Sequence, residues 1–133
     1  MTLIVCLDDK DGMRFNGRRQ SSDCVLCRHM EQQVGNGRFF VTPYTAKLFS
    51  SDKVTVSENP MDEAGTDDCC FIEDLEVTPY LEKAEKLLIY RWNRTYPSDV
   101  TFPPQALAGW TRIETEEFPG NSHERITLEV YAR

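Results

Sequence analysis

Residues 81–110 read LEKAEKLLIYRWNRTYPSDVTFPPQALAGW, and their order decides the fold. Lys83-Ala84-Glu85-Lys86 closes a helix predicted over 79–85, and the apolar run from Leu87 to Trp92 follows as a buried strand. A polar turn leads to Asp99-Val100-Thr101-Phe102-Pro103, with Trp110 beyond it. Helix into buried strand is the repeating unit of a mainly parallel sheet. The chain then changes character. Trp110–Phe118 and Glu124–Tyr131 alternate apolar and polar residues around Pro119-Gly120-Asn121-Ser122, which predicts a C-terminal antiparallel hairpin.

Upstream, Thr2–Leu7 (TLIVCL) is a short apolar run that meets Asp8-Asp9-Lys10-Asp11-Gly12, a strand entering a turn. Residues 12–20 read as a loop carrying Arg14, Arg18 and Arg19. Ser21-Ser22 offer capping hydroxyls for a helix over 22–34, with Asp23 in its first turn and Gly35-Asn36-Gly37 ending it. A second strand is predicted over 38–41, a short helix over 45–49, a third strand over 53–57, a loop with at most one helical turn over 58–68, and a fourth strand over 69–72. The expectation is one α/β domain over residues 1–133: a mixed, mainly parallel sheet flanked by helices, ending in the hairpin.

With 133 residues the chain is long enough for one real core. A net charge of −7 and a sequence pI near 4.8 give no strong nucleic-acid or anionic-membrane signal. No apolar run is long enough to span a bilayer. The opening Met1-Thr2-Leu3-Ile4-Val5 has no basic flank, so no secretory signal is read. Five cysteines, an odd number, then predict reduced thiols in a cytoplasmic setting. Cys24-x-x-Cys27 at a helix start allows a redox pair, but the thioredoxin context is missing and buried or half-buried structural thiols are the preferred reading. Cys69 and Cys70 share a strand and should face opposite ways. No metal site is expected. His29 and His123 are the only histidines and cannot build the two-metal centre of a ribonuclease Z-type RNA-processing enzyme, which uses an HxHxDH cluster.

The order of 81–110 resembles the C-terminal half of the dihydrofolate reductase family, where an LPKA.KLYLT segment leads to GDT.FP and then a Trp. The opening LIVCLDDKDGM is similar to that family's LIVAIDxNxxIG. This resemblance implies a small-molecule ligand of pterin or nucleotide type, NADPH as cofactor, and oxidoreductase chemistry if the chain is active. It places Cys6 where the family has a pocket-lining Ala, and Asn16 on the mobile active-site loop. It aligns Asp23 with the single buried carboxylate that binds the pterin ring and assists protonation. A buried acid with a raised pKa would suit that catalytic role. Arg18, Arg19 and Thr45 would hold anionic groups of the ligand.

The departures are as informative. The loop's Pro-Trp pair is replaced by Arg19-Gln20. The VIMGR.T turn is similar to 39–45, but Thr42 and Pro43 replace its Gly and Arg. VIGGG has become Phe71-Ile72-Glu73-Asp74, which sets two carboxylates against the cofactor pyrophosphate and opposes NADPH binding. A non-catalytic binding or regulatory protein reusing the fold is therefore the alternative reading.

Overall fold

The computed structural model describes residues 1–133. Ten strands and three short α-helices form two sheets. The strands are β1 Thr2–Leu7, β2 Gly12–Phe15, β3 Arg18–Arg19, β4 Phe39–Val41, β5 Thr55–Val56, β6 Cys69–Phe71, β7 Lys86–Arg91, β8 Val100–Thr101, β9 Thr111–Phe118 and β10 Ile126–Ala132. The helices are α1 Cys24–Gln33, α2 Pro43–Ala46 and α3 Pro60–Glu63. The main sheet runs β5-β4-β6-β1-β7-β10-β9, parallel through β7 and antiparallel at β10 and β9. This is the predicted mixed α/β sheet with its terminal hairpin.

The central strands are apolar at almost every position because both faces are covered. Leu3, Val5, Leu7, Leu87 and Ile89 enter one core layer with Phe40, Cys70 and Ile72. Their neighbours Ile4, Leu88 and Tyr90 enter the other with Phe39, Cys69 and Phe71. The two-residue period of a strand thus sends Cys69 and Cys70 to opposite faces, as predicted. Leu26 and Met30 of α1 close the second layer. The outer strand β9 is exposed along nearly its whole length, with Glu114, Glu116 and Glu117 all open to solvent.

Three local expectations change. Residues 12–20 are not a loop. They form the hairpin β2–β3, which pairs with β8 in a second, three-stranded sheet. Asn16 and Gly17 turn it, both at positive φ (54° and 73°), the backbone of a type I′ turn that suits the strand twist. The helix predicted over 45–49 starts at Pro43 instead. Thr42 caps it, and Pro43 occupies a first-turn position where a missing N–H costs nothing. The helix predicted over 79–85 shrinks to a 3-10 turn at Thr78–Tyr80. Tyr80, Leu81, Lys83 and Ala84 each donate to the carbonyl three residues back, so the segment descends as successive tight turns. One such span is too short to repay helix nucleation.

Candidate functional site

In an open parallel sheet, ligands collect beyond the carboxyl ends of strands, where neighbouring connections diverge. Here that place lies past the ends of β1 and β6, under the β2–β3 hairpin. A small enclosed cavity of about 10 Å³ remains there, lined by Cys6, Met13, Arg19, Gln20, Ser21, Ile72, Glu73 and Trp92. That is room for about one water.

Arg19 and Glu73 fill the rest. Arg19 Nε donates to Glu73 Oε2 at 2.9 Å and its terminal nitrogen to Oε1 at 3.0 Å, a two-pronged fork on one carboxylate. Thr45, fully buried, donates its hydroxyl to Oε1 at 2.8 Å. The Tyr44 ring lies 4.2 Å beneath the guanidinium, and its hydroxyl accepts from the Arg19 backbone N–H. Buried pairs of this kind persist when geometry is good and each charge keeps extra partners. Beside them, Gln20 Oε1 is the one buried side-chain oxygen or nitrogen without a hydrogen-bond partner. Its amide nitrogen donates to Asp8 Oδ2 at 3.0 Å. Asp8 is itself a buried turn acid that also accepts from the backbone of Lys10, Gly12 and Tyr96.

Asp23 behaves differently from the expectation. It is the N-cap of α1, a position predicted for Ser21-Ser22, and accepts from the backbone of Val25 and Leu26. It also accepts from the backbone N–H groups of Asn121 and Ser122 in the β9–β10 turn, at 2.8–3.0 Å. His123 Nδ1 lies 3.1 Å from its Oδ2. Burial alone would push its pKa up. The hydrogen bonds from Asn121, His123, Ser122 and Leu26 outweigh burial, and the net shift is downward. The expected acid with a raised pKa is therefore corrected to an ionised carboxylate that latches α1 to the hairpin turn. Asp23 is not among the residues lining the cleft cavity. Gly120 is required beside it, because a Cβ there would stand 2.6 Å from Asp23 Oδ2.

His123 extends the latch. Its Nδ1 lies beside the Asp23 carboxylate, its Nε2 is hydrogen-bonded to the Tyr96 hydroxyl at 2.7 Å, and the ring stacks on Trp92 at 4.6 Å. The largest concavity, about 820 Å³, opens above these residues and is lined by Asn93, Arg94, Ser122, Glu124 and Arg125 as well. It is an open surface of mixed charge. Its Arg125 already pairs with Glu117 at 3.3 Å, and its floor is spent on internal contacts. The cleft, where the sheet topology places a ligand, is the better candidate.

The other predicted site residues divide into two groups. Cys6, Arg19 and Thr45 do meet at the cleft, around Glu73. Arg19 and Thr45 do not await an anion, because the Glu73 carboxylate already occupies their donors. Asn16 and Arg18 sit at the exposed end of the hairpin, beside a shallow depression with Phe15, Gln20, Tyr96 and Pro97. The Asn16 backbone N–H donates to Asp99 there. Arg14 turns inward to the carbonyls of Glu73 and Leu75. Gln20, Tyr44 and Trp92 were not singled out for this cleft by sequence. The one available signal was Asn16-Gly17, which predicts a tight hairpin and hence the delivery of Arg19-Gln20 to the sheet edge.

The turn into α2, which the family resemblance aligns with a dinucleotide cradle, departs from that pattern. Thr42 donates its hydroxyl to Asp74 at 2.9 Å, so a carboxylate covers the start of α2. Pro43 removes a donor there. These residues do not fit a pyrophosphate. No group of three or more His, Cys, Asp or Glu is placed to hold a metal ion. No helix is long and apolar enough to cross a membrane.

No family model matches the sequence, and no curated protein matches it. Solved structures do, with 244 matching chains. One is the dihydrofolate reductase of Enterococcus faecalis, solved in complex with NADP(H) and RAB-propyl. It superposes with a TM-score of 0.70 at 12% identity, over 99% of this chain and 95% of that one. The chain has the dihydrofolate reductase fold.

Proposed function

On that fold, we propose that this protein binds a small heterocycle with a cyclic guanidine or amidine edge, of pterin type, and that Glu73 anchors it. The Arg19–Glu73 fork carries this reading. A guanidinium laid two-pronged on a carboxylate is the hydrogen-bond pattern that a 2-aminopyrimidine edge would make with the same oxygens. Arg19 thus holds the place of a ligand and must swing out for one to enter. Gln20 Oε1, buried without a partner, supplies an acceptor for a ligand N–H. The anchor passes from Asp23 to Glu73, because the carboxylate of Asp23 is already filled by the β9–β10 turn.

NADPH is not part of this reading. Asp74 and Pro43 stand against a pyrophosphate at the start of α2, so hydride transfer in the manner of the structural neighbour is not expected.

Fluorescence titration tests the reading, with Trp92 in the cleft wall as reporter and dihydrofolate as the probe. Saturable quenching is expected, tighter in Arg19→Ala and abolished in Glu73→Gln, with Asp23→Asn unchanged once circular dichroism shows it folded. Loss of binding in Asp23→Asn with retention in Glu73→Gln would return the anchor to Asp23. An absence of quenching in all four proteins would sink ligand binding at this cleft. Saturable NADPH binding with dihydrofolate-dependent oxidation would establish the reductase reading instead.

A further inference from the structure

The Cys24-x-x-Cys27 pair lies outside the ligand reading and stands independently of it. The pair occupies the first and fourth positions of α1, a helix of ten residues. The rise and twist of an α-helix put α-carbons three residues apart at about 5 Å, inside the range a disulfide spans. Both thiols line one shallow pocket of about 200 Å³, with Arg28, Glu31, Leu48, Phe49 and Ser50. Their exposure differs sharply. Cys24 is open to solvent, and Cys27 is buried. Both are free thiols here.

We propose that Cys24 and Cys27 form a dithiol–disulfide couple that reduces small or peptide disulfides, with Cys24 as the attacking thiol and Cys27 as the resolving one. The asymmetry assigns the roles. An attacking sulfur must reach an external disulfide, and of the two only Cys24 is open to solvent. A resolving sulfur needs only to reach its neighbour three residues away. Burial first, then the charges of Glu73, Glu31 and Asp23, push the Cys27 thiol up to about 12, so it does not compete for the external disulfide. Cys69 and Cys70 are buried on opposite faces of β6, and Cys6 lies in the cleft wall.

The exchange balances. The Cys24 thiolate attacks one sulfur of RSSR, forming Cys24–S–SR and expelling RS⁻. The Cys27 sulfur then attacks the Cys24 sulfur, loses its proton, and expels the second RS⁻. The two protons lost by the protein convert both leaving groups to RSH. The protein dithiol is oxidised by two electrons and the external disulfide is reduced.

Oxidised glutathione is the probe. Trypsin releases both cysteines in one peptide, Gln20–Arg28, so the product is read directly by mass. Native protein should yield that peptide lighter by two hydrogens, with no glutathione retained. Cys27→Ala should stall with one glutathione on Cys24, and Cys24→Ser should react at neither position. A glutathione adduct that accumulates in the native protein, or a peptide that stays reduced while urea-unfolded chain oxidises, overturns the proposal. The wild-type result does not depend on either variant folding.

Discussion

Asp23 and Glu73 are both buried carboxylates with several donors, yet the donors differ in kind. Asp23 is held mostly by backbone: Val25 and Leu26 at the start of α1, Asn121 and Ser122 in the hairpin turn. Those groups move only if the fold moves. Glu73 is held by two side chains, the Arg19 fork and the Thr45 hydroxyl. A side chain can change rotamer while the backbone stays in place. A carboxylate satisfied by backbone is structure. One satisfied by a long, movable side chain over a small cavity can exchange that partner for a ligand. The family resemblance singles out Asp23, whereas the source of its donors is what singles out Glu73 as the proposed anchor.

The largest effect expected from breaking this contrast is at Asp23. Asp23→Ala removes a helix cap and strands the Asn121 and Ser122 N–H groups and the His123 ring, a loss of about 3 to 5 kcal/mol in urea unfolding. No second substitution should rescue it, because its main partners are main chain. Acid sharpens the point. The Asp23 pKa is lowered on folding from an unfolded value of about 3.9. Its contribution is therefore complete above that value and is lost as the pH falls below it. Wild-type stability should drop faster than that of Asp23→Asn below about pH 4. Asp8, lowered as well, and Asp68, held at about 2 mainly by its backbone and Arg38 hydrogen bonds against burial, keep part of the slope in the variant.

Glu73 should behave in the opposite way. Glu73→Leu strands a partly buried guanidinium and the Thr45 hydroxyl, at a cost of about 2 to 3 kcal/mol. Adding Arg19→Met removes the orphaned charge and should bring stability back to within about 1 kcal/mol of wild type, since apolar replacement of both partners of a buried pair is often neutral. Urea unfolding of the two single variants and the double variant measures the coupling. A double variant no better than Glu73→Leu would mean that the fork is fixed framework like Asp23, and that no ligand displaces it.

Much of this was legible in the chain, for identifiable reasons. Leu87–Tyr90 and Thr2–Leu7 are apolar on both faces, and that pattern alone marks central parallel strands. The β9–β10 hairpin declared itself by alternation around Pro119-Gly120. The illegible parts depend on partners far apart in sequence. Nothing near Asp23 reveals that Asn121 and Ser122 will donate to it, and nothing near Glu73 reveals Arg19. The helix predicted over 45–49 begins two residues earlier, at Pro43, because a helix start and a helix stop look alike at a proline until the cap at Thr42 is seen. Gln20 carries no pattern at all. Its importance lies in an unmet oxygen, which only packing reveals.

The smallest effect isolates the hairpin that carries Arg19. Gly17 has a φ of +73° and open space where a Cβ would go, so Gly17→Ala meets no clash and costs only its left-handed backbone, about 1 kcal/mol. That cost falls on the β2–β3 turn and not on the hairpin that grips Asp23. Amide exchange should therefore separate the two regions. The Arg19 N–H, which donates to the Tyr44 hydroxyl, should exchange faster in the variant, while the Asn121 and Ser122 N–H groups keep their protection. Equal acceleration at both would mean that hairpin and latch open as one unit. The Arg19 fork would then be no more movable than the Asp23 latch, and the distinction between the two carboxylates would fail.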